Sequence, residues 1–243
     1  MFKIDSFGKT DPGLVRRNNE DALILKPEMG FWAVADGMGG EEKGEVASQL
    51  FIQTALELFS KLPIRSEEDV KQIIQRIFGL SNERILSWAK ENQVQKMGCT
   101  AELMAFSGPD YVLGHVGDSR TYRFREGQLR QLTRDHSLVQ EQLDQGVLTP
   151  AEAHRSPFRN VILRAIGTED TLAVDLMRGK SIPGDLYLLC SDGLTGMVED
   201  SKIQEVLTRP MELSQKVDQL IEGAKAAGGN DNITVILCEV LES

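Results

Sequence analysis

Five times along this chain an apolar run begins or ends at a carboxylate flanked by glycine, asparagine or serine. The stretches are "NNEDA" (18–22), "ADGMGG" (35–40), "GDSR" (117–120), "SDGL" (191–194) and "GGNDNIT" (228–234). A carboxylate at the buried end of a strand is costly unless something neutralises it. Strand ends that converge on one edge would gather Glu20, Asp21, Asp36, Asp118, Asp192 and Asp231. Such a cluster repels itself and raises its own pKa values. Hard divalent cations with oxygen ligands relieve that repulsion. The set holds no His or Cys, so Mg²⁺ and Mn²⁺ are favoured over Zn²⁺. Gly37 has no side chain, so its carbonyl is free to approach an ion closely. Taken singly, Asp-Gly and Asn-Asp pairs are ordinary turns; five of them, each against an apolar run, favour a shared cation site. No D-x-D-x-D-G spacing of an EF-hand occurs, and "GMGG" lacks the spacing of a dinucleotide fingerprint.

The remaining pattern predicts what carries these acids. Strand-like runs cover 2–7, 22–26 and 30–35. Apolar residues then recur at helical spacing at Val46, Leu50, Phe51, Ala55, Leu58 and Phe59. A second helix starts at Ser66 with the capping sequence "SEED" and continues through Val70, Ile73, Ile74, Ile77, Ile85 and Leu86. Strands return at 100–106, 111–116, 121–125 and, after the turn "REGQ", 129–133. Residues 137–160 read as helical and polar, punctuated by Pro150 and Pro157. Strands follow at 172–178, 185–191 and 233–241, with helices at 201–207 and 211–227. About ten short strands with paired helices between them are not a doubly wound parallel sheet. They predict an α+β fold, an antiparallel β-sandwich with a helix pair on each outer face. No linker or repeat divides the chain, so residues 1–243 are expected to form a single domain.

Charge and cysteines narrow the function classes. The net charge of −10 disfavours nucleic acid and anionic membrane as partners, because both call for clustered Lys and Arg. Cys99, Cys190 and Cys238 lie in apolar runs without C-x-x-C spacing and read as buried thiols of a reducing compartment. No basic stretch followed by an apolar segment opens the chain, and no run approaches the ~18 apolar residues of a membrane span. The expectation is a soluble, cytoplasmic monomer. Trp32 and Trp88 read as packing residues, and the runs at 41–43 and 67–69 as acidic helix starts.

In order along the chain, "DPGLVRRNNEDA" (11–22), "VADGMGG" (34–40), "GCTA" (98–101), "GHVGDSR" (114–120), "LTRDHS" (132–137), "RAIG" (164–167), "LLCSDGLTGMV" (188–198) and "GGNDNITV" (228–235) resemble the metal-dependent Ser/Thr protein phosphatases of the type 2C (PPM) family, in its bacterial branch. The resemblance spans nearly the whole chain. It implies the four-layer αββα sandwich, with 137–160 as a flap subdomain beside the active site. It implies two tightly held Mn²⁺ or Mg²⁺ ions and a third, weaker one. Asp36 would bridge two ions and the Gly37 carbonyl would bind the second. Asp192 and Asp231 would bind the first, and Asp118 with Asp192 would form the weak site. Glu20 and Asp21 would act through metal-bound water. Arg16 lies four residues before Glu20, where the family places its phosphate-binding Arg; Arg17 is an equally basic neighbour. The implied reaction is hydrolysis of phosphoserine or phosphothreonine in proteins by a metal-bridged hydroxide, reversing a bacterial Ser/Thr kinase. The catalytic set would be Asp36, Asp192, Asp231 and Asp118.

One departure stands out: Met38 occupies the place where many eukaryotic members carry a His after the Asp-Gly. Of the three histidines, His115 reads as packed in a strand and His136 as the support of a turn, while His154 is a candidate for substrate recognition in the flap. Two other functions compete: a catalytically silent binding module on the same fold, and a phosphatase dedicated to one regulatory partner. The complete acidic set argues against the silent module.

Overall fold

A computed structural model describes residues 3–39, 43–61 and 66–242, together with all their side chains except that of His154. Phe2, Gly40, Glu41, Glu42 and the His154 side chain, which the sequence reading singled out, therefore lie outside the described residues.

The described chain forms eleven strands in two antiparallel sheets. The first sheet takes β1 (Lys3–Asp11), β11 (Ile233–Leu241), β10 (Leu186–Cys190), β7 (Arg120–Arg125) and β8 (Gln128–Gln131), in that spatial order. The second runs β2 (Asp21–Lys26), β3 (Phe31–Gly39), β5 (Ala101–Ser107), β6 (Asp110–Val116) and β9 (Asp175–Lys180), with β4 (Met97–Cys99) paired to the far end of β3. Helices α1 (Gly44–Lys61) and α2 (Glu67–Glu91) follow β3. The short helices α3 (Leu138–Asp144) and α4 (Pro150–Arg155) lie between β8 and β9. Helix α5 (Asp192–Thr195) follows β10, and α6 (Asp200–Thr208) and α7 (Leu213–Ala226) precede β11.

Period-two alternation of apolar side chains builds three cores from these two sheets. On β3, Phe31, Ala33 and Ala35 face the helix pair α1 and α2, while Trp32 and Val34 face the other sheet. On β11, Ile233, Val235 and Leu237 pack under α6 and α7, while Ile236, Cys238 and Val240 fill the space between the sheets. Strand β10 does the same with Leu186, Leu188 and Cys190 outward and Tyr187 and Leu189 inward. Strands buried on both faces need near-continuous apolar sequence, which is how these runs read. The result is the four-layer αββα sandwich. Ser66 caps α2 by accepting the Asp69 N–H at 3.1 Å, as "SEED" predicts. Trp32 is fully buried, and Trp88 packs partly buried against the outer core. All three cysteines are free and buried.

The structure corrects the sequence reading in four places. Strand β3 does not stop at Asp36: it runs to Gly39, because Gly37, Met38 and Gly39 pair with β4, a strand too short to announce itself. Asp192 opens a short helix rather than a turn. The predicted strand 172–178 begins only at Asp175. Within 137–160 only α3 and α4 are helical, with turns between and after them; Ser137 bridges Ile162 and closes the segment at its root.

The outer core depends on Phe31 of β3, fully buried and stacked on Phe59 of α1 with ring centroids 4.1 Å apart and planes at 9°. Phe31→Ala should cost about 3–5 kcal/mol. A thermal melt should then show Tm lowered by roughly 6–20 °C for a domain of this size.

Candidate metal centre

Five chain segments deliver acids to one edge of the sandwich. Asp21 is the first residue of β2, and Asp36 lies directly opposite it on β3. Asp118 sits in the loop from β6 to β7, Asp192 at the start of α5, and Asp231 just before β11. Asp21 and Asp118 are each only 6% exposed, while Asp36, Asp192 and Asp231 are partly exposed. Asp21 accepts hydrogen bonds from Ser191 Oγ (2.8 Å) and Thr234 Oγ1 (2.6 Å) through Oδ2. Its Oδ1, like Oδ1 of Asp118, is a buried oxygen with no hydrogen-bond partner among the described residues.

The electrostatics follow from this crowding. Burial pushes the pKa of Asp21 up to about 7, against its two hydroxyl partners and with the help of Asp192 and Asp231. Burial first, then Asp21, Asp192, Asp118 and Asp231 in turn, hold Asp36 well above the usual carboxylate range. Asp118 is raised by burial, Asp192 and Asp135. Asp192 is raised by burial and Asp231, and a hydrogen bond from Asp36 partly offsets this. Two cations act on the cluster: Arg16, whose Nη2 stands 2.7 Å from Asp231 Oδ2, and Arg120, whose charge works against the rise at Asp118 and Asp192. It is Arg16, rather than Arg17, that the structure brings to the cluster.

Glu20 joins from the side. A Cβ on Gly44 would overlap Glu20 Oε2, so that carboxylate lies against the first residue of α1, where the helix dipole favours negative charge. A Cβ on Gly37 would in turn overlap the Gly44 carbonyl oxygen, so the two glycines let β3 and α1 meet backbone to backbone. The Gly37 N–H donates to the Glu20 carbonyl at 3.1 Å.

A supporting layer that the sequence reading missed fixes these segments. Asn232 accepts the Glu20 N–H at 2.8 Å and donates to the carbonyls of Asn18 (2.9 Å) and Pro12 (3.1 Å). It thereby pins the loop that carries Arg16 and Glu20. Thr100 donates its N–H to the Asp36 carbonyl at 2.8 Å, and its hydroxyl lies 2.6 Å from Ser119 Oγ. Asn232, Ser191 and Ser119 each stand next to a site acid in sequence, and that adjacency was the available signal. A cleft of about 600 Å³ opens from Asp118 and Asp192 toward α3 and α4, where Arg155 and Arg159 line it.

The donor chemistry and the unrelieved charge fit hard divalent cations. Every candidate ligand is oxygen, and two buried carboxylate oxygens lack a partner. Among the described residues, no three Asp, Glu, His or Cys side chains already form a closed metal cage. Asp36 is turned to Asp192, and Asp231 to Arg16.

Comparison with known proteins follows from this geometry. The family model "Protein phosphatase 2C" matches residues 16–237, and the chain belongs to that family. The chain is 39% identical over 235 residues to the Mycobacterium tuberculosis "Serine/threonine protein phosphatase PstP", covering 96% of this chain and 44% of that protein. It therefore spans less than half the length of that relative. It is 36% identical over 236 residues to the Listeria monocytogenes "Serine/threonine phosphatase stp", covering 95% of this chain and 94% of that one. A crystal structure of M. tuberculosis PstP/Ppp superposes with a TM-score of 0.90 at 36% identity, covering 100% of both chains. The PstP catalytic domain "in complex with 2 Manganese ions" superposes with a TM-score of 0.89, also at 36% identity and with 100% of both chains covered.

The raised pKa of Asp21 makes stability depend on pH when metal is chelated. The folded state holds this proton up to about pH 7, whereas an unfolded Asp releases it near ~3.9. Between those values the folded state binds more protons, so stability falls as pH rises. In chelator, Tm should drop between about pH 5 and pH 7.5, and Asp21→Asn should flatten that drop. Differential scanning calorimetry of the two proteins checks this.

Proposed function

We propose that this chain is a metal-dependent phosphatase that hydrolyses phosphoserine and phosphothreonine in proteins, and so reverses Ser/Thr kinases. The observation that carries the reading is the cluster of Asp21, Asp36, Asp118, Asp192 and Asp231, whose mutual repulsion Arg16 and Arg120 offset only in part. Asp36 stands at its centre and is assigned as the shared ligand of two ions, with the Gly37 carbonyl as a second donor. Asp192 and Asp231 complete the principal site. Asp118, with Asp192, makes a weaker third one. Glu20 and Asp21 act from one shell further out through water. Bound Mn²⁺ or Mg²⁺ would supply an acidified water as the nucleophile and positive charge for the phosphate oxygens.

The chain's own residues do the rest. Arg16 is half exposed at the cleft mouth, so its guanidinium has room to leave Asp231 and take two phosphate oxygens in a fork. Ser191 and Thr234 hold Asp21 in place behind the site. Met38, half-buried opposite Gly98, carries no proton to give to a leaving oxygen, so that proton comes from bound water. Segment 137–160 forms one wall of the cleft and serves as the flap. No cysteine is needed as a nucleophile: burial raises the thiols of Cys99, Cys190 and Cys238 far above neutral pH.

Hydrolysis of an aryl phosphate and of a phosphothreonine peptide should require added Mn²⁺ or Mg²⁺ and stop in chelator. Full turnover in chelator, with nil metal content confirmed, contradicts the proposal and returns the chain to a different chemistry. Asp36→Asn and Asp192→Asn should each lower kcat by about two orders of magnitude or more, since each removes a ligand of the reacting ions. Arg16→Ala should raise KM for the phosphopeptide roughly tenfold with a smaller change in kcat, and Arg17→Ala should do much less. A larger effect at Arg17 would move the phosphate contact by one residue.

A further inference from the structure

Behind the Asp118 loop stands a column of three side chains that the hydrolysis itself does not use. Glu102 lies within β5 and is fully buried. Its carboxylate accepts hydrogen bonds from Thr121 Oγ1 at 2.5 Å and from Nδ1 of His115 on neighbouring β6. His115, also fully buried, donates through Nε2 to the Arg134 carbonyl at 2.9 Å. Nε2 faces a carbonyl and so donates; with Glu102 ionised Nδ1 donates too, which is the bonding pattern of an imidazolium. Burial opposes that charge, and Glu102 more than offsets the opposition, so the pKa of His115 is raised.

His136 stacks on this ion pair. The two imidazole centroids are 4.5 Å apart, with planes inclined by 35°. His136 Nδ1 accepts the Gly117 N–H at 3.0 Å, and the His136 N–H donates to the Gly117 carbonyl at 2.7 Å. Its Nε2 faces Arg164 Nη1 at 3.0 Å and Asp175 Oδ2 at 3.2 Å. An acceptor at Nδ1 fixes the neutral tautomer that carries its proton on Nε2, where Asp175 accepts it while Arg164, itself only a donor, pairs with Asp175 instead. Burial, then the charge on His115, push the pKa of His136 down to about 4, so Nδ1 stays bare at neutral pH.

The residue so held is the one that leads into Asp118. Gly117 has φ +111°, and a Cβ there would overlap Thr100. Thr100 thus closes one side of Gly117, while the ring and the backbone N–H of His136 satisfy its N–H and its carbonyl from another. The same His136 offers its carbonyl to the Leu163 N–H at 2.7 Å, beside the Ser137–Ile162 bridge at the root of segment 137–160.

We propose that His136, seated on the Glu102–His115 pair, is a positioning residue that sets the direction of Asp118 and ties it to the root of segment 137–160. Its structural half stands on these contacts alone; its kinetic half rests on the phosphatase reading. Glu102 and His115 explain why a histidine serves here: the charge stacked beneath it keeps its Nδ1 an acceptor.

The test compares three full-length variants with the wild type. His136→Leu fills the space without an acceptor. His136→Asn places an amide oxygen near the position of Nδ1. His136→Gln is equally polar, but its amide reaches toward Nε2. Exchange of the Gly117 amide is followed by NMR in Mg²⁺, beside kinetics on a phosphothreonine peptide. The Leu and Gln variants should exchange Gly117 about tenfold faster or more. Their kcat should fall about tenfold or more, with KM changed by less than about twofold. The Asn variant should recover both readouts. Should the Leu variant fail to fold, the Asn–Gln contrast carries the test. Equal behaviour of Asn and Gln, or wild-type exchange at Gly117 in either the Leu or the Gln variant, overturns the proposal. Absence of metal-dependent phosphoester hydrolysis by the wild type overturns the phosphatase reading instead, and leaves the exchange result to decide the positioning role.

Discussion

Asp21, Asp36, Asp118, Asp192 and Asp231 arrive from five separate segments, and gathering them in a cleft of low dielectric sets like charges against one another. Within the chain, the hydrogen bond between Asp36 and Asp192, the Arg16 guanidinium on Asp231 and the charge of Arg120 relieve part of that repulsion. Both arrangements occupy carboxylate oxygens that a divalent cation would use better, because one ion meets several oxygens at once. The cluster is therefore least stable as an isolated set of acids, and ion binding releases stored repulsion. Binding sites that repel themselves in this way are a recurrent mark of functional centres.

The sandwich exists to hold that edge still. Both faces of β3, β10 and β11 are buried in separate cores, so a one-residue slip would drive apolar side chains out of two cores together. Register is thereby fixed where Asp36 and Asp231 need it. Asn232, Thr100 and the Ser191–Thr234 pair transmit the register of the strands to the loops. On the Asp118 side, the equivalent task falls to His136 and Thr100. That loop has no strand partner at Gly117, and it takes its hydrogen bonds from a side chain and a backbone nineteen residues away in sequence.

Much of this was legible in the chain because it follows from local pattern. The period-two runs of β10 and β11 and the helical faces of α1, α2 and α7 are visible residue by residue, and the acids announce themselves where those runs end. The continuation of β3 through Asp36-Gly37-Met38-Gly39 was not legible, since glycines in sequence signal a turn, and only β4, some sixty residues away, turns them into a strand. Glu102 was invisible for a similar reason. A lone acid in an apolar run reads as the solvent face of a strand, and its partners His115 and Thr121 lie on two other strands. Arg16 could be placed near Glu20 by spacing, but its contact with Asp231 spans 215 residues and needs the fold.

The central claim, that the convergent carboxylates form one divalent-metal centre with Asp36 at its heart, is tested most directly by anomalous diffraction from Mn²⁺-loaded crystals. The account predicts two strong peaks roughly 3.5–4 Å apart, both contacting the Asp36 carboxylate, with Arg16 withdrawn from Asp231. Mn²⁺ peaks confined to other parts of the surface, with Asp36 still hydrogen-bonded to Asp192 and Arg16 still on Asp231, would contradict it.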